Sequence, residues 1–133
     1  MGTAVLRGVE VNLVLSQHAN QLVTQLAQRS YYDELLAAGV RVHLYQPRFL
    51  HAKHISIDDE IVAIGSTNID IRSFALNAEV MVVIYDPKVA AKLRAIQEGY
   101  FAKSHLLTAE EWSKRPVGTR TIQSIARLAD SLL

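Results

Sequence analysis

The residues of this 133-residue chain whose types and spacing could do chemistry lie in one short stretch, His51-Ala52-Lys53. Two residues apart on a strand, His51 and Lys53 point to the same face, so an imidazole lies beside a fixed cation. The imidazole can attack phosphorus or transfer a proton, and the ammonium can stabilise negative charge on non-bridging phosphate oxygens. The pair therefore indicates phosphoryl chemistry, whereas a lone strand histidine and an exposed edge-strand lysine are the ordinary structural alternatives.

Further polar residues follow at places from which they could reach the same phosphate. Gly65-Ser66 offers backbone N–H groups and a hydroxyl in a turn, and Asn68 in the next loop can donate a hydrogen bond. Glu79 heads a later strand, from which its carboxylate could hold one ring nitrogen of His51 and fix the tautomer.

A metal site is the main alternative use of the histidines. His51 and His54 are three residues apart on a strand, so they point to opposite faces and form a poor chelate. The remaining histidines belong to other elements and have no partner at ligand spacing: His18, His43 and His105. The absence of cysteine excludes disulfide scaffolds, thiolate metal sites and a cysteine nucleophile. We therefore predict neither a metal nor a cofactor.

The elements that must position these residues form an α/β pattern. Apolar residues alternate with polar ones at 9–15 and 40–44, residues 18–38 have helical spacing, and Gly39 is a natural helix end. A strand is expected over 49–57, followed by a polar turn at Asp58-Asp59-Glu60. Unbroken apolar runs at 61–64 and 80–84 predict central strands that are covered on both faces.

Capping signals mark the remaining helices. Asp86-Pro87 combines an N-cap with a first-turn proline, and Thr108 with Glu111 forms a capping box. A last helix is expected from about Thr119. The chain is therefore predicted to hold an α/β domain over residues 1–104 and a helical C-terminal tail over 105–133.

Composition narrows the class of protein. Half of the residues are apolar, a fifth are charged, and no stretch reaches the ~20 apolar residues of a membrane span, so we expect a soluble chain. Residues 1–102 carry nine Lys/Arg and ten Asp/Glu, which makes nucleic acid an unlikely partner. The tail is mildly basic, which suits either a helix packed on the domain or one lying on an anionic bilayer; we favour the packed helix.

The spacing His-x-Lys-x4-Asp, six residues, then Gly-Ser-x-Asn resembles the signature (HKD) motif of the phospholipase D superfamily. All six motif positions are in register: His51, Lys53, Asp58, Gly65, Ser66 and Asn68. Flanking segments are similar to the second half of bacterial cardiolipin synthases, namely 30–36, 39–41, 45–47, 49–53, 72–74, 76–77, 79–80, Glu111-Trp112 and Arg115-Pro116. The resemblance covers about residues 5–116.

The resemblance implies a role for each motif residue. The motif histidine, His51, is either the nucleophile that forms a phosphohistidine or the acid that protonates the leaving alcohol. The implied catalytic set is His51, Lys53 and Asp58; the implied phosphate ligands are Lys53, Ser66 and Asn68; Glu79 would orient His51. Asp58 falls on the opposite strand face from Lys53, so we interpret it as structural. The chain departs from the family pattern at His54 and Ala78, and neither change removes a catalytic group.

The resemblance also implies an architecture and a reaction. We expect a phospholipase D-like mixed sheet flanked by helices, one half of a pseudo-twofold bilobal fold, truncated at its N-terminus. The expected function is that of the C-terminal domain of a bacterial cardiolipin synthase, which joins two phosphatidylglycerol molecules at the cytoplasmic membrane. Its partner would be the N-terminal motif half or a second copy of the chain. Three alternatives stay open: a homodimeric phosphodiesterase or nuclease, a phospholipase D that transfers to water, and an inactive isolated half.

Overall fold

A computed structural model describes residues 1–18, 22–66 and 79–116 of the chain. The elements in chain order are α1 (Gly2–Leu6), β1 (Asn12–Ser16), α2 (Leu22–Ser30), α3 (Tyr32–Ala37), β2 (Arg41–Tyr45), β3 (His54–Ile57), β4 (Ile61–Gly65), β5 (Met81–Tyr85), α4 (Pro87–Phe101), β6 (Ser104–Leu107) and α5 (Ala109–Ser113). The chain divides into two compact units, one formed by residues 1–50 with the chain from Lys103 onward, the other by His51–Ala102. The predicted mixed α/β fold is confirmed, with its strands divided between two three-stranded sheets.

The first unit is built on the sheet β1-β2-β6. β1 and β2 run parallel, and β6 pairs antiparallel with β2, so that Val42 lies opposite Leu107. The buried core of this unit comprises Leu13, Tyr32, Val40, Val42 and Leu107. The ring of Trp112 lies 5.1 Å from that of Tyr32 and extends the core towards α5.

Two elements of the first unit differ from the sequence prediction. The helix expected over 18–38 is divided into α2 and α3, with a break at Tyr31. The strand β6 lies where the helical tail 105–133 was expected to begin. Its four residues show no clear alternation, and only the pairing with β2, about 60 residues earlier in the chain, makes this segment a strand.

The second unit is the antiparallel sheet β3-β4-β5 with α4 on one face. Asp86 caps α4 as predicted, because its carboxylate accepts hydrogen bonds from the backbone N–H groups of Lys88 (2.7 Å) and Val89 (3.4 Å). Val62 is fully buried beneath Ala90 and Leu93 of the helix. This apolar cluster attaches α4 to the middle strand of the sheet.

Two predictions for the second unit are wrong: the residue at which β3 begins, and the burial of the run 80–84. β3 begins at His54 and not at residue 49, so His51 and Lys53 precede the strand. The prediction that the run 80–84 is covered on both faces is wrong in the described chain, because Val82 is 56% and Val83 49% exposed. The expected positions of Asn68 and Ala78, and of a helix after residue 119, lie outside the described residues.

Candidate active site

His51 and Lys53 come together although neither belongs to a strand. The Lys53 Nζ lies 2.8 Å from Nε2 and 3.1 Å from Nδ1 of the His51 ring. An ammonium group carries only donors, so this contact requires a ring nitrogen with a free lone pair. The His51 side chain is exposed and that of Lys53 is half-buried. An anion approaching this pair would therefore meet a cation and an imidazole at the same point.

The backbone next to Lys53 is anchored to the neighbouring strand. The N–H of Gly65 donates to the carbonyl of Lys53 at 3.1 Å, directly beyond the β3–β4 pair His54–Ile64. Gly65 is required here because a Cβ would overlap the Val80 carbonyl and lie 2.5 Å from the Met81 sulfur. The two parts of the motif, His-x-Lys and Gly-Ser, are thereby joined within one hairpin.

Ser66, directly after β4, and Glu79, two residues before β5, form a second polar pair. The Ser66 hydroxyl donates to the Glu79 carboxylate, and its oxygen accepts from the Val80 N–H at 3.0 Å. The Ser66 N–H donates to the Val80 carbonyl at 2.9 Å, which continues the ladder beyond β5. Ser66 therefore positions Glu79, a contact that the sequence analysis did not anticipate. The role expected for Glu79, orienting His51, stays a prediction, as does phosphate binding by Ser66.

Asp58 lies at the opposite end of β3, in the turn to β4. It has a φ of 50°, a left-handed conformation that Asp tolerates better than most residues. Its carbonyl accepts a hydrogen bond from Arg94 at 3.1 Å, and the same guanidinium pairs with the Asp59 carboxylate at 2.9 Å. These contacts agree with a structural interpretation of Asp58.

Two residues of α4 were missed by the sequence analysis. Gln97 accepts from the Ser56 hydroxyl at 2.8 Å and lies 3.2 Å from His54 Nδ1, while Arg94 holds the turn. Both lie on the helix face that also carries Ala90 and Leu93, at the i, i+3, i+4, i+7 spacing of a packed face. The helical spacing could have predicted that both side chains face the sheet, but it does not indicate which strand residues they contact.

His54 has the environment of a structural histidine. Its ring stacks on Tyr100 with 6.0 Å between centroids, and burial lowers its pKa below the usual 6.5. A neutral ring can accept from the Gln97 amide at Nδ1. His54 therefore attaches the start of β3 to α4, immediately after Lys53.

The described part of the chain offers neither a cluster of metal ligands nor a helix that could cross a membrane. Within residues 1–18, 22–66 and 79–116, no group of three or more His, Asp or Glu side chains is arranged to hold a metal ion. No helix in these segments has the length and apolarity needed to span a bilayer.

Sequence comparison relates the chain to cardiolipin synthases. Residues 1–100 match the family described as "Cardiolipin synthase, PLD-like domain". The chain is 37% identical over 131 residues to cardiolipin synthase A of Serratia proteamaculans and to that of Klebsiella pneumoniae. The match covers 98% of this chain but only 27% of either relative, so the chain spans about a quarter of their length.

Solved structures show the same fold. Nuc of Salmonella typhimurium, a phospholipase D family member, superposes with a TM-score of 0.70 at 24% identity, covering 81% of this chain and 70% of Nuc. Phosphatidylserine synthase of Haemophilus influenzae gives a TM-score of 0.71 at 18% identity, over 98% of this chain and 36% of that protein. The mixed α/β fold, the motif hairpin and the match over residues 1–100 agree: the chain belongs to the PLD-like domain family of cardiolipin synthases.

Proposed function

We propose that this chain is one catalytic half of a phosphatidyltransferase that makes cardiolipin from two phosphatidylglycerol molecules. The observation that carries the proposal is the His51–Lys53 pair, with Nζ 2.8 Å from Nε2, in a chain that belongs to the cardiolipin synthase PLD-like family. An imidazole next to a fixed cation suits attack on a phosphodiester.

The proposed reaction has two displacements at phosphorus. A ring nitrogen of the nucleophilic histidine forms a bond to phosphorus, the bond from phosphorus to the glycerol oxygen breaks, and glycerol leaves with a proton from the second histidine. The hydroxyl of a second phosphatidylglycerol then gives its proton to that second histidine. Its oxygen bonds to phosphorus, and the phosphorus–nitrogen bond breaks. His51 takes one of these two parts.

The remaining side chains have supporting roles in this proposal. Lys53, Asn68 and, once its hydroxyl turns away from Glu79, Ser66 donate to non-bridging oxygens and stabilise the negative charge that develops on them. Glu79 fixes the tautomer of His51. Asp58 belongs to the motif but acts through the turn, since its carbonyl, and not its carboxylate, is held by Arg94.

The second histidine must come from another motif copy. We propose that this chain is the C-terminal motif half of a longer protein at the bacterial cytoplasmic membrane, and that the N-terminal half supplies the other copy. The coverage of 27% supports the longer protein, because most of each relative has no counterpart in this chain. The C-terminal placement rests on the resemblance of the segments that flank the motif to the second half of cardiolipin synthases. A second copy of the chain could supply the same group in a homodimer.

The test uses a protein in which this sequence is joined to a second motif half. Labelled phosphatidylglycerol is the substrate, and His51→Ala is expected to abolish cardiolipin formation. His105→Ala is the matched control, because His105 is exposed and pairs with Glu111 in the other unit. Near-normal product formation by His51→Ala would remove His51 from the mechanism.

A homodimeric phosphodiesterase is the second candidate, because the chain carries one copy of the motif and a second copy of the chain could complete the site. Labelled phosphatidylglycerol and DNA are assayed side by side with the 133-residue chain alone, and its mass in solution is measured. Release of phosphatidic acid without cardiolipin would indicate transfer to water. DNA cleavage by a dimer would favour the phosphodiesterase, and a monomer inactive on both substrates would be an isolated half.

A further inference from the structure

Gln97 of α4 joins two residues of β3 that directly follow the His51–Lys53 segment. Its Oε1 accepts from the Ser56 hydroxyl at 2.8 Å, and its Nε2 lies 3.2 Å from Nδ1 of His54. His54 and Ser56 are two residues apart on one strand, so their side chains share the face that α4 covers. One amide therefore holds two side chains of the strand, and we call Gln97, His54 and Ser56 the amide clamp.

The two contacts of the amide clamp use both ends of the Gln97 side chain. The carbonyl oxygen of an amide accepts and its NH₂ group donates, which matches a hydroxyl donor at Ser56 and a ring-nitrogen acceptor at His54. The three side chains are half-buried, and the His54 ring also stacks on Tyr100 at 6.0 Å between centroids. A substitution that keeps the volume of Gln97 but removes its amide therefore breaks both hydrogen bonds and preserves the packing.

The backbone next to the amide clamp carries the catalytic pair. Within the described residues β3 is an edge strand of its sheet, paired with β4, and His51 and Lys53 precede its first residue. The Lys53 carbonyl accepts from the Gly65 N–H at 3.1 Å, and the next residue, His54, is attached to α4. The first contact comes from the sheet and the second from the helix. Together they fix, from two directions, the backbone from which the Lys53 side chain extends.

We propose that Gln97 is a positioning residue for the His51–Lys53 pair. Through His54 it holds the backbone that brings the Lys53 Nζ to 2.8 Å from Nε2 of His51. The inference rests on the proposed phosphatidyl transfer and adds to it a residue that lies outside the motif, on α4. Its effect on the reaction is large for a group that acts at a distance, because a displacement of ~1 Å at reacting groups can cost about 100-fold in rate.

The kinetic test uses Gln97→Met, which keeps the length and helix propensity of the side chain but removes both hydrogen bonds. Cardiolipin formation from labelled phosphatidylglycerol is measured with the protein in which this sequence is joined to a second motif half. We expect kcat to fall at least ~tenfold and KM to change less than about threefold, because misalignment affects the transition state more than the bound substrate. Glu98→Met is the matched control at the exposed neighbouring position, and both constants should stay within about twofold of the wild-type values. Circular dichroism verifies that each variant is folded.

Two variants of His54 separate the hydrogen bond from the stacking. His54→Asn and His54→Leu both remove the ring from Tyr100. The asparagine carbonyl oxygen is bonded to Cγ, as Nδ1 is in histidine, and can therefore accept from Gln97. We expect kcat of His54→Asn to exceed that of His54→Leu at least about fivefold, the factor that one net hydrogen bond supplies. Equal kcat values in the two variants would overturn the positioning role of Gln97.

Amide hydrogen exchange, followed by NMR in the 133-residue chain alone, gives a readout that does not depend on activity. The Gly65 N–H reports on its bond to the Lys53 carbonyl, and the Ser66 N–H, 2.9 Å from the Val80 carbonyl, is the internal reference. Gln97→Met is expected to accelerate exchange at Gly65 at least ~threefold more than at Ser66, because local opening at Lys53 exposes the first bond and not the second.

The outcomes distinguish this inference from the proposed function. An inactive wild-type protein, with selectively faster exchange at Gly65 in Gln97→Met, would contradict the proposed transfer and support the amide clamp. A folded Gln97→Met variant with a kcat within about twofold of the wild-type value would overturn the positioning role. Equal acceleration at Gly65 and Ser66 would also overturn it, since a general loss of stability would then explain the exchange.

Discussion

Replacing Leu93 tests whether α4 holds the catalytic hairpin by its buried cluster. Leu93 is 6% exposed and packs with Val62, which is fully buried. Leu93→Ala removes three carbon atoms, about 2.4 kcal/mol at ~0.8 kcal/mol per methylene, and the residual cavity adds to this loss. We expect the free energy of unfolding to fall by about 2.5–4 kcal/mol.

The control for this substitution lies one turn further along the same helix. Ile96 is 51% exposed, so Ile96→Ala loses about half of the transfer term and regains ~0.4 kcal/mol of helix propensity, leaving less than about 1 kcal/mol. Both variants are unfolded in urea and followed by far-UV circular dichroism, because the single tryptophan, Trp112, belongs to the other unit. Equal losses at the two positions, or a loss below about 1 kcal/mol for Leu93→Ala, would refute the packing argument.

Substitutions at four further positions have defined expectations. Asp86→Ala removes the α4 cap and should lower the unfolding free energy by about 1 kcal/mol in urea titrations. Burial raises the pKa of Tyr32 above 10.0, so stability should fall as the pH rises above that value, and Tyr32→Phe should remove this dependence. Burial lowers the pKa of His54 below 6.5, so the wild type should lose stability relative to His54→Gln as the pH falls below 6.5, with the ring titration followed by NMR. At the left-handed Asp58, Asp58→Asn should change stability by less than ~0.5 kcal/mol and Asp58→Val should cost about 1–2 kcal/mol; equal losses would show that its φ is not the constraint.

Local signals in the sequence predicted the elements that depend on neighbouring residues. The cap at Asp86 and the turn at Asp58-Asp59-Glu60 were found because each is a hydrogen-bonding or conformational preference within four residues. The short helix after Thr108 was found for the same reason, since the Thr108 hydroxyl accepts from the Glu111 N–H at 3.1 Å.

Contacts between distant residues were not accessible in this way. β6 is a strand only because β2 pairs with it, and the bonds of Ser56 and Asp58 to α4 join residues about 40 positions apart. The motif indicated His51 and Lys53 as a pair, and the structure brings them together, yet it does so before β3 begins. The contact between His51 and Lys53 was therefore predicted correctly, but strand alternation is not its cause.

The bond between the Lys53 carbonyl and the Gly65 N–H gives the motif spacing a geometric meaning. In the β3–β4 hairpin, the two residue numbers of every facing pair add up to the same value, as in His54–Ile64 and Ile57–Ile61. The hydrogen-bonded pair Lys53–Gly65 follows the same rule. The distance in sequence from His-x-Lys to Gly-Ser therefore measures the length of a hairpin. The pairing also sets the side of the sheet on which Ser66 lies, because a one-residue slip of β4 along β3 would transfer Ser66 to the other side.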